Sequence, residues 1–301
     1  MKKVLIISVK ESSHRTDRAI DQLKKINCPY EFIRWKSLVF KNGELFSADK
    51  KINLKKFCAV FFDIPRYEVI LRKKNQQFSF NLSNELFLLF DQCRKFNIKV
   101  INRNFILSHP HYNKFTLSQA YFEKNLSAIP TLHFTDNKFE HICESLENFD
   151  IKLPIVVKQS DGSMGEQVWK ISTLPDLRKL LETKRADNLV FQPFIKNQGD
   201  FRILVIGGKS MGIMKRTAQN GEWKNNYSLG GKIKKYADKK MERFSEKVAR
   251  KLDLDYVGID LLKTKDDYLI IELNIFASFE GFEKTYPKIN IAKELVNLLI
   301  A

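Results

Sequence analysis

The sequence is poor in the features that mark several protein classes. Its 301 residues hold four cysteines, Cys28, Cys58, Cys93 and Cys143, scattered and without a CxxC pair. Neither a structural zinc site nor a disulfide framework is therefore expected. The histidines show no metal-ligand spacing; His109 and His111 flank Pro110, which suits a loop. No apolar run approaches the roughly 18 residues of a membrane span, so no membrane partner is expected. The N-terminus MKKVLIISVK starts basic and turns apolar, but the run Val4–Ile7 is short and no small-residue cleavage site follows. It reads as a first strand, and the expected location is cytoplasmic. A Walker A ending is missing. So are the signatures of RRM, zinc-finger and basic-zipper proteins. Internal repeats and low-complexity linkers are missing too.

What is present is a core and a charge. Hydrophobic residues make up 44% of the chain, enough to bury one composite unit or two to three lobes. The formal net charge of +17 favours anionic partners such as nucleotides, acidic peptides, nucleic acid or anionic lipid. The basic residues are spread out, with local clusters at Lys50-Lys51, Lys55-Lys56 and Lys232 to Lys235. Much of this charge also fits a solvated surface.

Apolar runs alternate with helical spacing along the first third. Strands are predicted at Val4 to Val9, Tyr30 to Trp35, Ala59 to Phe62 and Lys99 to Ile101. Helices are predicted at Arg15 to Lys25 and Ser83 to Phe96. This alternation predicts a small α/β lobe with a mostly parallel sheet, at 1–111. A second, α+β unit covers 112–195. It has helices at 112–126, 138–149 and Leu177 to Glu182, and strands at Thr131 to Phe134, Ile155 to Val157, Val168 to Ile171 and Leu189 to Phe191. The last part, 196–301, opens with strand Phe201 to Ile206, a Gly207-Gly208 turn and a return strand Met211 to Met214. A helix through Met241, Phe244, Val248 and Leu252 follows. Strands Tyr256 to Leu262 and Tyr268 to Leu273 turn at Lys265 to Asp267, and Ile291 to Ile300 is helical.

Four constellations carry chemistry. Glu272 and Asn274 are two apart in a strand and share a face; a hairpin brings Asp260 beside them. Three oxygen donors on an otherwise apolar sheet suit Mg²⁺, which leaves room for phosphates and water in its shell. A solvated hairpin face is the alternative. The second is Lys158 at a strand end, followed by the loop Gly162-Ser163-Met164-Gly165. Glycine backbone N–H groups approach phosphates closely, and a lysine adds a point charge; a plain hairpin turn fits equally. The third is Gln192-Pro193-Phe194-Ile195 with Asp200, a connector that offers a purine an apolar wall and a ribose an acceptor, or simply a packed loop. The fourth is Lys215-Arg216, whose guanidinium matches a carboxylate or phosphate, or simply ends a basic strand.

In order and spacing, these segments resemble the ATP-grasp superfamily and, within it, the RimK-like amino-acid ligases. The likeness covers roughly 112–300. Beyond the four constellations it includes Gly199-Asp200-Phe201-Arg202, Gly221 to Asn226, Gly230-Gly231 and Gly258 to Leu262. It implies an ATP-grasp fold with an N-terminal α/β pre-ATP-grasp lobe, nucleotide between the central and C-terminal lobes, and a C–N bond-forming ligase working through an acyl phosphate. The implied cofactors are ATP and Mg²⁺, with Mn²⁺ as an alternative ion. By the same resemblance Lys158 and Lys114 hold phosphates, and Gly162, Ser163 and Gly165 close over them. Gln192, Phe194 and Ile195 line the adenine slot, with Asp200 near the ribose. Asp260, Glu272 and Asn274 bind the metal. Arg216, helped by Arg202, steadies the transferred phosphoryl group, and Asn226 lies near the acceptor. The implied partners are an amino acid or other amine and a carboxylate acceptor, whether small molecule, peptide or protein tail. A homo-oligomer is open and nucleic acid is not expected.

Three departures from the family pattern fall near the substrate. Pro193 stands where an acidic residue is usual, and it lacks an N–H. Ile275-Phe276-Ala277-Ser278 replaces a small Pro-Gly turn, and Ser228-Leu229 replaces a His-Arg pair. They leave the ATP chemistry intact and put transfer of glutamate itself in question. The competing reading is a catalytically inactive ATP-grasp protein that binds nucleotide or nucleic acid.

Overall fold

The structure, a computed structural model, describes residues 3–48, 50–63, 67–73, 76–81, 83–161, 167–218, 232–265 and 267–301, with backbone alone within 67–83. The first third contains β1 (Lys3–Ser8), α1 (His14–Lys25), β2 (Tyr30–Arg34), β3 (Leu38–Lys41), β4 (Glu44–Ser47), β5 (Lys50–Lys51) and β6 (Phe57–Asp63). It continues with β7 (Tyr67–Lys73), β8 (Gln76–Asn81), α2 (Ser83–Lys95), β9 (Lys99–Val100) and α3 (Arg103–Ser108). β2, β1, β6 and β9 form a parallel sheet in that order. Val4 to Ile7 are wholly buried, with Leu5 and Ile7 facing one core and Val4 and Ile6 the other. That two-sided burial is why β1 reads as a continuous apolar run. The small antiparallel sheet β3-β4-β5 and the hairpin β7-β8 were not foreseen.

Next come α4 (Lys114–Glu123), α5 (Phe139–Asn148), β10 (Ile155–Gln159), β11 (Val168–Ile171), α6 (Leu174–Thr183) and β12 (Leu189–Pro193). The Asn113 side chain accepts from Thr116 N–H while Thr116 Oγ accepts from Asn113 N–H, a capping box that starts α4 at Lys114 rather than at 112. Asn125, with φ 49°, ends it before the predicted 126. The strand expected at Thr131 to Phe134 is a single bridge, Leu132 to Phe191. Pro130 has no N–H to extend that ladder, and the chain leaves for α5 directly afterwards.

The last part holds β13 (Asp200–Ile206), β14 (Lys209–Thr217), β15 (Lys232–Tyr236), α7 (Lys239–Lys251), β16 (Tyr256–Lys263), β17 (Tyr268–Asn274), α8 (Glu280–Thr285) and α9 (Ile291–Ile300). Its antiparallel sheet runs β15-β14-β13-β16-β17. Ser127 to Ile129 run alongside β17. Ile270 N–H donates to Ser127 O (3.0 Å), and Ile129 N–H donates to Ile270 O (3.1 Å).

Three cores result. One lies wholly within 134–191. The other two are shared between the N-terminal sheet and the five-stranded sheet, and α4 packs into one of them through Leu117, Ala120 and Tyr121. The start of the central unit is thus bound to its neighbours' core.

Candidate active site

Strand alternation puts Asp200 and Arg202 on one face of β13. Register then sets Asp200 opposite Arg216 of β14, and Arg202 opposite Asp260 of β16. Asp260 lies opposite Glu272 of β17, and Gly258 opposite Asn274. One face of the sheet therefore carries a charged row in which Arg216, Asp200, Arg202 and Asp260 alternate in sign and Glu272 follows Asp260.

The row is tightly bonded. Arg202 donates to Asp260 through Nε and Nη2, both at 2.7 Å. Arg216 donates through Nε to Asp200 Oδ1 at 2.5 Å, and its Nη2 lies 3.0 Å from Asp260 Oδ2. Asn274 Nδ2 donates to Asp260 Oδ2 at 3.5 Å. Asp260, Arg216 and Asp200 are only 4%, 3% and 6% exposed, so these are buried ion pairs. Burial works against the Arg216 charge, but Asp260 and Asp200 hold its pKa above the ordinary value. Burial likewise opposes the Asp260 carboxylate, yet Arg202 and Arg216 keep it below the usual range. For Asp200, burial and the Asp260 charge prevail over Arg216 and push the carboxyl up.

Two lysines complete the cluster. Lys158 reaches it from β10, and burial pushes its pKa down to about 8, with Lys114 adding to the shift and Glu272, Asp260 and Asp200 opposing it. Lys114, at the start of α4, lies 3.6 Å from Glu272 Oε1. With its pKa at about 8 this lysine stays mostly protonated at neutral pH, and a nearby anion raises the pKa further.

Beside the row lies a cavity of about 240 Å³ between α4 and β17. Lys114, Glu272, Asn274, Gln192 and Ser160 line it, with apolar walls from Leu117, Ile129, Ile270 and Phe276. Gln192 donates through Nε2 to Thr131 Oγ1 at 2.8 Å, but its Oε1 is buried without a partner, as is Ser160 Oγ. Orphaned polar atoms beside a cavity call for a ligand that supplies donors and acceptors, as a nucleotide does.

Among the described residues no three His, Cys, Asp or Glu side chains form a metal cluster. Two carboxylates and an amide do converge, a sparse oxygen set that suits Mg²⁺ only when phosphates fill the rest of its shell. The donor chemistry thus fits a metal that arrives with nucleotide.

Some predicted site residues lie elsewhere. Asp200, read as a ribose acceptor, has its carboxylate on Arg216 and does not line the cavity. Neither do Phe194 and Ile195: Phe194 N–H donates to Pro154 O, and Lys170 Nζ sits 4.0 Å from its ring centroid. Gly162, Ser163, Gly165 and Asn226 lie outside the described residues, as do Ser228 and Leu229. Sequence reasoning missed Tyr121, which lines the cavity. Its hydroxyl is pushed well above its ordinary pKa by burial, with Glu272 and Asp260 adding to the shift, and so stays neutral. The signal was available, since Lys114, Leu117 and Tyr121 fall on one helical face.

Residues 116–299, more than half of the chain, match the RimK-like ATP-grasp domain. The chain belongs to the RimK-like ATP-grasp family. Its relatives include the coenzyme gamma-F420-2:alpha-L-glutamate ligase of Methanocaldococcus jannaschii, 27% identical over 168 residues, 54% of this chain and 57% of that protein. A probable alpha-L-glutamate ligase of Pasteurella multocida is 32% identical over 151 residues, 48% of each. The chain thus spans about half the length of the curated relatives it matches. Among solved structures, the RimK-domain ATP-grasp protein of Sphaerobacter thermophilus superposes with a TM-score of 0.70 at 14% identity, over 99% of this chain and 100% of that one. The macrocyclase MdnC of Microcystis aeruginosa, solved with its precursor peptide MdnA, gives 0.68 at 19% identity over 99% of each. At these identities the likeness is one of fold, and the fold is ATP-grasp. No helix among the described residues is long and apolar enough to cross a membrane.

Proposed function

We propose that this chain is an ATP- and Mg²⁺-dependent ligase that joins a carboxylate to an amine through an acyl phosphate. The observation that carries the reading is the charged row from Arg216 to Glu272, set beside a cavity with unpartnered Gln192 and Ser160 atoms. We assign lobes of 1–111, 112–195 and 196–301, with the nucleotide between the last two. Lys158 and Lys114 bind phosphate oxygens. Asp260, Glu272 and Asn274 hold the metal, which when bound neutralises charge on the phosphates. Arg216, fixed by Asp200, presents a preorganised cation to the transferred phosphoryl group, with Arg202 beside it. Tyr121 and the apolar walls exclude water, which otherwise hydrolyses an acyl phosphate. The acid takes the γ-phosphoryl group and ADP leaves; the amine then displaces phosphate to give the amide. A glutamate-like amino acid joined to a peptide, protein or small molecule is the substrate pair, in the cytoplasm. Relatives named as glutamate ligases and fold neighbours solved with precursor peptides support that choice.

The test is ADP release with ATP and Mg²⁺ against pools of amino acids and acidic peptides. Glu272→Gln is the control, because Glu272 is half-exposed and its loss spares the buried pairs. Release that needs an acceptor and disappears in Glu272→Gln supports the ligase. Saturable ATP binding without release from any pool favours the inactive binder.

The Lys158 shift predicts a pH dependence. As pH rises through about 8 the free site loses this cation, so kcat/KM for ATP falls, and Lys158→Arg flattens the profile. Stability moves the other way. The unfolded chain holds this proton up to the ordinary lysine range, so the folded form gains relative to it as pH rises from about 8. A profile unchanged in Lys158→Arg counts against the assignment.

A further inference from the structure

The segment directly after Asn274 is held by its carbonyl groups. Asn102 Nδ2 donates to Ile275 O at 2.9 Å, Arg15 Nη1 to Phe276 O at 2.9 Å, and Tyr256 Oη to Ala277 O at 2.5 Å. Three successive carbonyls therefore each have a side-chain donor from a distant part of the chain. Ile275 and Phe276 also line the cavity beside β17. Packing leaves little slack here: a Cβ on Gly258, opposite Asn274, would come within 2.9 Å of the Ala277 Cβ.

Two of the three donors come from residues before 116, outside the stretch matched to the family domain. Asn102 is wholly buried; it also donates to Tyr256 O and accepts from Tyr256 N–H. Arg15 projects from the first turn of α1. Its Nη2 donates to Phe62 O at 3.2 Å, and its guanidinium lies 5.8 Å from the Phe276 ring centroid and 5.9 Å from that of Phe61. It thus grips Phe276 by both carbonyl and ring. A planar fork with several donors can span two carbonyls in this way; a lysine ammonium cannot reproduce the spacing and the ring contact together.

We propose that Arg15 is a positioning residue for the nucleotide site. By fixing Phe276 it sets the cavity floor and the direction in which Asn274 leaves β17, so the N-terminal lobe is a working part of the ATP site. The proposal rests on the ligase reading above.

Arg18 supplies the comparison. It sits three positions further along the same helix, ties α1 to Glu283 of α8 through Nε (3.2 Å) and Nη2 (3.0 Å), and reaches Asn290 through Nη2 (3.2 Å) rather than 275–277. Arg15→Lys and Arg18→Met are compared by calorimetric binding of a non-hydrolysable ATP analogue with Mg²⁺, by ADP release and by thermal unfolding. Arg15→Lys is expected to weaken analogue binding by about tenfold or more, the loss of a hydrogen bond from a charged donor. Arg18→Met lowers the melting temperature and leaves binding within about twofold, because its partly buried pair with Glu283 lies away from 275–277. Equal weakening in both variants, in step with melting temperature, overturns the proposal, and so does unchanged binding in Arg15→Lys. Wild-type protein that binds the analogue but releases no ADP sinks the ligase reading alone, and the Arg15–Arg18 comparison still decides the proposal. Wild-type protein that binds no analogue overturns both.

Discussion

Asp260→Ala melts on the order of 10 °C below wild type and releases no ADP at any temperature at which it is folded. Asp260 is the anion for two guanidiniums, taking both bonds of Arg202 and one contact from Arg216. Removing one partner of a buried pair leaves the other charge uncompensated, at about 3–5 kcal/mol. Here Asp200 remains for Arg216, but its carboxyl is the one that burial pushes towards the neutral form. Arg202 loses both of its hydrogen bonds to a carboxylate. Activity goes for a separate reason, since Asp260 belongs to the proposed metal set. Differential scanning fluorimetry and ADP release at low temperature separate the two effects. Glu272→Gln gives the contrast, with lost turnover and a melting temperature close to wild type. An Asp260→Ala protein that melts like wild type would falsify the account of these buried ion pairs.

Gly199→Ala produces the second large effect, at a residue with no functional group. Gly199 has φ +117°, and a Cβ there would lie 2.4 Å from the Arg216 carbonyl oxygen. Backbone cannot swing aside as a side-chain end does, so β14 must move where it carries Arg216. Strain and overpacking together cost roughly 2–5 kcal/mol. Displacing the guanidinium by about 1 Å is expected to lower kcat by about a hundredfold, with a smaller change in KM for ATP. Gly43→Ala is the control: its φ is +79°, yet nothing lies within 4 Å of the added Cβ. It shows backbone strain without loss of turnover. Similar kcat values for the two variants would mean that Arg216 needs no such placement.

The sequence made some of this legible and hid the rest, for physical reasons. Asp260, Glu272 and Asn274 could be read because strand periodicity puts alternate residues on one face and the intervening Leu261, Ile271 and Leu273 are apolar. The parallel N-terminal sheet announced itself through Val4 to Ile7, whose burial on both sides demands an unbroken apolar run. The pairing of Asp200 with Arg216 was hidden because it depends on register, which a bulge between Ile203 and Val205 shifts. The little strands of 38–51 mix lysine, glutamate and phenylalanine, and their few residues carry no clear period. The strand expected after Pro130 shrank to one bridge because tertiary context offered only Phe191 as a partner. Arg15 gave no signal at all. Its key target is the Phe276 carbonyl group, of a kind every residue has, 261 positions away.

The seam along β17 has a mechanical consequence. The chain enters the 134–191 core only after Ser127 and Ile129 have been fastened to Ile270. The strands of that core also carry Gln192, and Ser160 just past β10, to the cavity that Glu272 lines from β17. Any swing of the central lobe thus pivots on a strand whose next turn of the pleat holds Glu272. Hinge and proposed metal ligand would share one lever, so opening the cleft would also load Glu272.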